Sequence, residues 1–282
     1  MKKINLKLNG KTAYFELFEK EAPITSARLL SILPQKIDIH YAKFAGQEIL
    51  GELPMMAPIE GGKSLADIDC GCVAFYPDRA LFCIYYGDLQ DEEVSITVIG
   101  QLYADDEFVA EMEKCRFRQG DVLEMSDPDA EQKEVEHHKF LIDTKVKWDA
   151  FPADVLKVYS KRGISLPGGP IINAEGETRK LADLTYTLYS SIRNGETYGK
   201  EFISRLLDYY TLKIGGWCGL SDCAEDIQSY KSLLFSGKYS EEEVMLDFVF
   251  WANRVNLWLD LLVPWEDITE LMRRPNDLLE NF

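Results

Sequence analysis

Glu48 is the side chain in this sequence best placed to act as a base. It lies just past the Ala45-Gly46 turn, on a stretch that is otherwise apolar (Ile49, Leu50). Buried there, its carboxyl would rise in pKa toward a value useful for proton transfer near neutrality. Left in water, it would be an ordinary strand glutamate. His40 shares a strand face with Asp38 and Phe44. It is either an acid/base group or a hydrogen-bonded structural histidine. Tyr85 and Tyr86 are adjacent on a strand and so point to opposite faces. One packs against apolar neighbours while the other, Tyr86 in our reading, can offer its hydroxyl to a pocket. Gln101, directly after Gly100, can hydrogen-bond a substrate. Arg28, on an early helix, can bind a carboxylate.

Other chemistries find less support. The six cysteines stand at 70, 72, 83, 115, 218 and 223, and their spacing matches no zinc motif. They read as reduced, mostly buried thiols, and no metal or other cofactor is expected. The Ser165–Asn173 loop is rich in glycine and proline but lacks a nucleotide-binding pattern, so it reads as a rigid corner. The tryptophans at 217, 251, 258 and 265 read as helix packing.

These side chains need a scaffold, and the hydrophobic pattern describes one. Ile4, Leu6 and Leu8 alternate with polar residues, Asn9-Gly10 follows, and Ala13, Phe15 and Leu17 alternate again. Asn-Gly between alternating runs marks a two-residue hairpin. Pro23 opens and Pro34 ends a short helix. Strands are then expected at 37–44, 47–53, 71–76, 81–86 and 94–103. One helix among so many strands implies a closed antiparallel barrel over residues 1–112. Residues 113–150 are heavily charged and read as a connector. From Phe151 the period becomes helical. Segments stop near Gly163, Asn194, Gly215 and Gly237, Ser240-Glu241-Glu242-Glu243 forms a capping box, and a last helix starts at Pro264. Residues 151–282 therefore read as an all-α bundle, and the fold class as α+β.

The formal net charge of −17 disfavours nucleic acid, since such a surface repels phosphates. No stretch approaches a membrane span, because Val244–Trp265 is interrupted by Asp247, Asn253, Arg254, Asn256 and Asp260. With no apolar leader after Met1-Lys2-Lys3, the expected location is the cytoplasm. The expected partner is a small molecule, with a homo-oligomer as the commonest assembly.

The order of motifs in the first hundred residues resembles the cyclophilin-like proteins. Ala13–Phe18 followed by Glu21-Ala22-Pro23-Ile24-Thr25 is similar to the opening of cyclophilins. Gly46-Gln47-Glu48-Ile49 with Pro54, Asp69–Pro77, Leu81–Gly87 and Val98–Leu102 resemble successive segments of small bacterial and archaeal cyclophilin-like proteins. Active prolyl isomerases carry an arginine where Ile39–Phe44 stands, and this stretch has none, so the resemblance does not carry isomerase activity with it. Lys43 occupies the basic slot of the family's hairpin, which makes it a candidate carboxylate binder. A barrel of this kind followed by a helical bundle of this length is similar to cucumopine synthase. That resemblance implies a cofactor-free, Pictet–Spengler-type condensation of histidine with 2-oxoglutarate at the junction of barrel and bundle. Its catalytic groups here would be Glu48, His40 and Tyr86, with Lys43, Tyr85, Gln101 and Arg28 binding substrate. A non-catalytic small-molecule binder of the same fold is the first alternative, and a peptidyl-prolyl isomerase, disfavoured by the missing arginine, is the second.

Overall fold

A computed structural model describes residues 1–42, 45–89, 95–116, 120–130, 133–148, 150–160, 169–196 and 198–263. The expectations for Lys43, Phe44, Ser165–Gly168 and the helix from Pro264 lie outside these residues. The chain divides into two compact units, Met1–Lys139 and Phe140–Phe282.

The first unit is a closed barrel. Its strands are β1 (Lys2–Leu8), β2 (Lys11–Leu17), β3 (Gln35–Tyr41), β4 (Gly46–Glu52), β5 (Cys72–Tyr76), β6 (Leu81–Leu89), β7 (Thr97–Tyr103) and β8 (Asp121–Ser126). They are joined in the order β1-β2-β7-β5-β6-β4-β3-β8, and β8 pairs with β1 to close the ring. The β1–β2 hairpin turns at Asn9 and Gly10, with φ of 48° and 81°. Both central residues thus take the left-handed conformation that this turn requires. Alternation sends Ile4, Leu6, Leu8, Phe15, Leu17, Ile37, Ile39, Ile49, Val73, Phe75, Phe82, Ile84, Leu123 and Met125 into the interior, all buried. Gly100 has no room for a side chain, because a Cβ there would stand 2.5 Å from the Glu16 carbonyl and 2.7 Å from Phe15.

The stretch 113–150, read from its charge as a connector, contains β8. Only Leu123 and Met125 of that strand face inward, too few apolar residues to stand out against Asp121 and Glu124. The barrel unit therefore runs past residue 112. Helix α1 (Pro23–Ile32) follows β2, and α2 (Asp106–Lys114) starts on the Asp105 side chain, which accepts from the Phe108 amide at 2.8 Å.

The second unit is helical. It contains α3 (Ala153–Tyr159), α4 (Pro170–Arg193), α5 (Lys200–Thr211) continued by a π-helical turn over Leu212–Trp217, α6 (Ser221–Ser236) and α7 (Glu241–Leu262). Gly237 ends α6 in the left-handed conformation, and Ser240 and Glu243 form the expected capping box of α7. Helix α7 is buried along nearly its whole length, with Tyr230 of α6 stacked on Phe248 at 4.4 Å between ring centres. Among the described residues no helix is long and apolar enough to cross a membrane.

Burying polar groups in this unit carries a cost that can be measured. Asp226 accepts from Trp251 Nε1 at 3.0 Å and from the Thr144 hydroxyl. Burial nevertheless pushes its carboxyl up to about 6, with Asp154 and Asp222 adding to the rise and the two hydrogen bonds opposing it. A folded-state pKa above the unfolded one means that the folded form binds the proton more tightly. Stability is therefore lost as pH rises from about 4 through 6. Asp226→Asn, which stays neutral, is expected to exceed the parent in stability by up to about 3 kcal/mol at pH 8. The gap should close toward pH 4 in urea unfolding series, and a pH-independent difference would contradict this account.

Candidate active site

The register of the barrel wall decides which candidate side chains meet. Interior residues on β4 and β6 are Ile49, Ile84 and Phe82, so Glu48, Leu50, Cys83 and Tyr85 face the outer wall. Glu48 stands directly opposite Tyr85, and Leu50 opposite Cys83. On one side His40 of β3 lies opposite Leu50. On the other, Ala74 lies opposite Cys83, and Cys72 lies opposite Gln101 of β7. His40, Glu48, Tyr85 and Gln101 therefore share one face of the sheet, with the carboxylate on the outer wall and not at the barrel mouth.

This outer face is not a solvated one. Glu48 is only 3% exposed, Tyr85 2% and His40 6%. Cys72, Ala74, Cys83 and Tyr85 belong to a second apolar cluster with Leu65 and Ile96 from the segments flanking β5 and β7, and Leu50, Ile68 and Val98 pack against it. A carboxylate placed here needs polar partners. The Cys83 thiol donates to Glu48, and the Tyr85 hydroxyl donates to the Cys83 sulfur. The result is a chain of donors running from Tyr85 through Cys83 to the carboxylate. Burial pushes both the Cys83 thiol and the Tyr85 hydroxyl far up, with the Glu48 carboxylate adding to each. Burial also takes Cys72 to about 12. All three therefore stay protonated at neutral pH and act as donors, not nucleophiles.

The other candidates sit elsewhere. Gln101 donates to the Cys70 carbonyl at 3.2 Å. Tyr86 points to the opposite side of β6 from Tyr85, and its hydroxyl donates to Glu113 of α2 at 2.8 Å. Burial and the Glu113 carboxylate both raise it. It does not join the Glu48 face. Arg28 donates to the Met56 carbonyl and lies beside Glu60. Glu60 in turn binds the first turn of α1 through the Ile24 and Thr25 amides and the Thr25 hydroxyl. Arg28 is thus tied into the fastening of α1. Cys83, the direct partner of Glu48, was not singled out from the sequence. Its role depends on the β4–β6 register, which bulges between Gly46 and Glu48.

This barrel has known relatives. Residues 6–118 match the cyclophilin-like family. The cyclophilin-like match ends just before β8. A solved structure of McbB in complex with tryptophan aligns with 95% of this chain and 99% of its own at a TM-score of 0.76, with 13% sequence identity. The two chains share a fold. A hypothetical protein from Archaeoglobus fulgidus, 18% identical, aligns over 45% of this chain and 94% of its own, but its TM-score of 0.35 carries no argument. No curated protein matches the sequence.

Proposed function

We propose that the protein is a condensing enzyme of the Pictet–Spengler type that joins an amino acid carrying a nucleophilic ring to a 2-oxo acid, with Glu48 as its base. The observation that carries this reading is a carboxylate sunk in an apolar patch of the barrel wall and held by a thiol donor. The fold shared with tryptophan-bound McbB supports an amino acid as one substrate, and the resemblance to cucumopine synthase points to histidine and 2-oxoglutarate.

The chemistry fits one carboxylate used twice. The substrate ammonium must first lose a proton so that its nitrogen can attack the ketone. Loss of water then gives an imine, which is protonated to an iminium. The ring carbon attacks it, forming the C–C bond, and the proton on that carbon leaves to restore the aromatic ring. Glu48 accepts the proton in the first step, returns it to the imine nitrogen to give the iminium, and as a carboxylate again accepts the proton in the last. Apolar surroundings strengthen it as a base, and fixing both reactants makes closure effectively unimolecular. The test is incubation with histidine or tryptophan and a panel of 2-oxo acids, read by mass spectrometry. A product equal to the sum of the substrates less one water is expected, and no such product across the panel would remove the proposal.

The Cys83 thiol gives a finer prediction. Its hydrogen bond favours the charged form of Glu48, so Cys83→Ala is expected to raise the carboxyl's pKa. The acid limb of kcat should move up by about one pH unit, with KM nearly unchanged, because a hydrogen bond to a charged group contributes about 1.5–3 kcal/mol. Cys83→Ser, which keeps a donor, should restore the parent profile. Superimposable profiles for Cys83→Ala and the parent would show the thiol to be packing only.

A further inference from the structure

The helical unit exposes a row of large apolar side chains that the proposed chemistry does not use. Phe202 is 58% exposed, Tyr209 50%, Leu212 71% and Trp217 73%. With half-buried Leu206 they recur every three to five residues along α5 and its π-helical extension, forming a stripe about 22 Å long. The opposite side of the same helix buries Ile203, Leu207, Tyr210 and Ile214. This element is therefore apolar on two faces, and among the described residues only one of them is buried. Isolated exposed apolar residues are ordinary, but a contiguous row of this kind marks an association surface.

We propose that this stripe is the two-fold interface between two copies of the chain. The first argument is area. Side chains of these types present roughly 150–250 Å² each. At the exposures seen, the four together offer about 500 Å² per copy, or about 1,000 Å² for a pair, which meets the lower threshold for a biological interface before any rim is counted. The second is self-complementarity. An isologous contact needs a patch that matches its own image. A two-fold axis beside Tyr209, midway along the stripe, sets Phe202 of one copy against Trp217 of the other, so each aromatic end meets an aromatic end. The third is charge. The whole chain carries −17, which opposes pairing of copies over most of the surface. Here, however, Lys200, Arg205 and Lys213 stand among Glu201 and Asp208, so the stripe is locally free of the negative excess. Lys213 lies over the Trp217 ring at 4.2 Å and over Tyr209 at 5.7 Å, keeping its charge along the rings.

Sedimentation equilibrium of the full chain across micromolar concentrations tests this. The expected result is a dimer whose dissociation constant falls as salt is raised, because screening weakens the general repulsion. Leu212→Glu and Phe202→Asp, at separate positions on the stripe, should each weaken it at least a hundredfold with unchanged helical circular dichroism. Both sites are more than half exposed in the single chain, so their folding is not at stake. A monomeric parent overturns the proposal, as does a dimer that survives both substitutions. The measurement needs no substrate, so it stands whether or not condensation is observed.

Discussion

Glu48→Gln is expected to slow ring closure about a thousandfold while leaving KM within a few-fold and the melting curve intact. The size follows from its role, since a positioned general base contributes about 10²–10⁴-fold. The separation of kcat from KM follows from chemistry, since the amide keeps the shape and an oxygen that can accept from Cys83 but cannot take a proton. Stability should hold or rise slightly, because a charge has been removed from a site 3% exposed. Glu48→Asp keeps the base but withdraws it from the reacting atoms, and should fall between parent and Gln. Rates of product formation for the three proteins under saturating substrates decide the matter. If Glu48→Gln kept more than a tenth of the parent rate, the proton would have to go elsewhere, with His40, on the same wall and diagonal to Glu48, the first alternative.

How much of this could be read beforehand depended on the range of the interaction. The Asn9-Gly10 turn and the Ser240 capping box are fixed by neighbours in sequence, and both stand as expected. Glu48 was legible as a candidate because its immediate neighbours Ile49 and Leu50 are apolar, although Glu52 on the same face of β4 is buried as deeply. Its surroundings were not legible. Whether it faced the mouth, the interior or the outer wall depended on a pairing with β6 that includes a bulge, and on Leu65 and Ile96 closing over that wall. Arg28 looked free on its helix because its acceptor, the Met56 carbonyl, belongs to an irregular segment with no periodic signature. Strand β8 was hidden by its own charges, since an outward face bearing Glu124 and an inward face of two residues give little alternation to detect.

Arg254 is the residue whose loss should most damage the helical unit. It is 2% exposed in the middle of α7, a position where a charge survives only with several partners. Its Nε donates to the Lys147 carbonyl at 3.3 Å, and its Nη2 donates to the Trp148 carbonyl. The guanidinium also lies 4.0 Å from the Trp258 ring centre and 5.1 Å from that of Trp148. Residues 146–148 have no secondary structure of their own, so these contacts, with the Trp258 indole on the same Lys147 carbonyl at 3.2 Å, fasten that segment to α7. Arg254→Met fills much of the same volume but leaves the Trp148 carbonyl without its donor and removes the cation from between two rings. The expected loss is about 3–5 kcal/mol, or roughly 10 °C in Tm for a unit of this size. Arg254→Lys retains the charge but cannot reach both carbonyls with one ammonium, and should lose about half as much. Thermal unfolding followed at the tryptophans reports on this unit directly, since Trp148, Trp251 and Trp258 all lie within it. Were Arg254→Met to melt within a degree or two of the parent, the segment would be held without the guanidinium, by the Trp258 indole on the Lys147 carbonyl and by Phe140 stacked on Trp148.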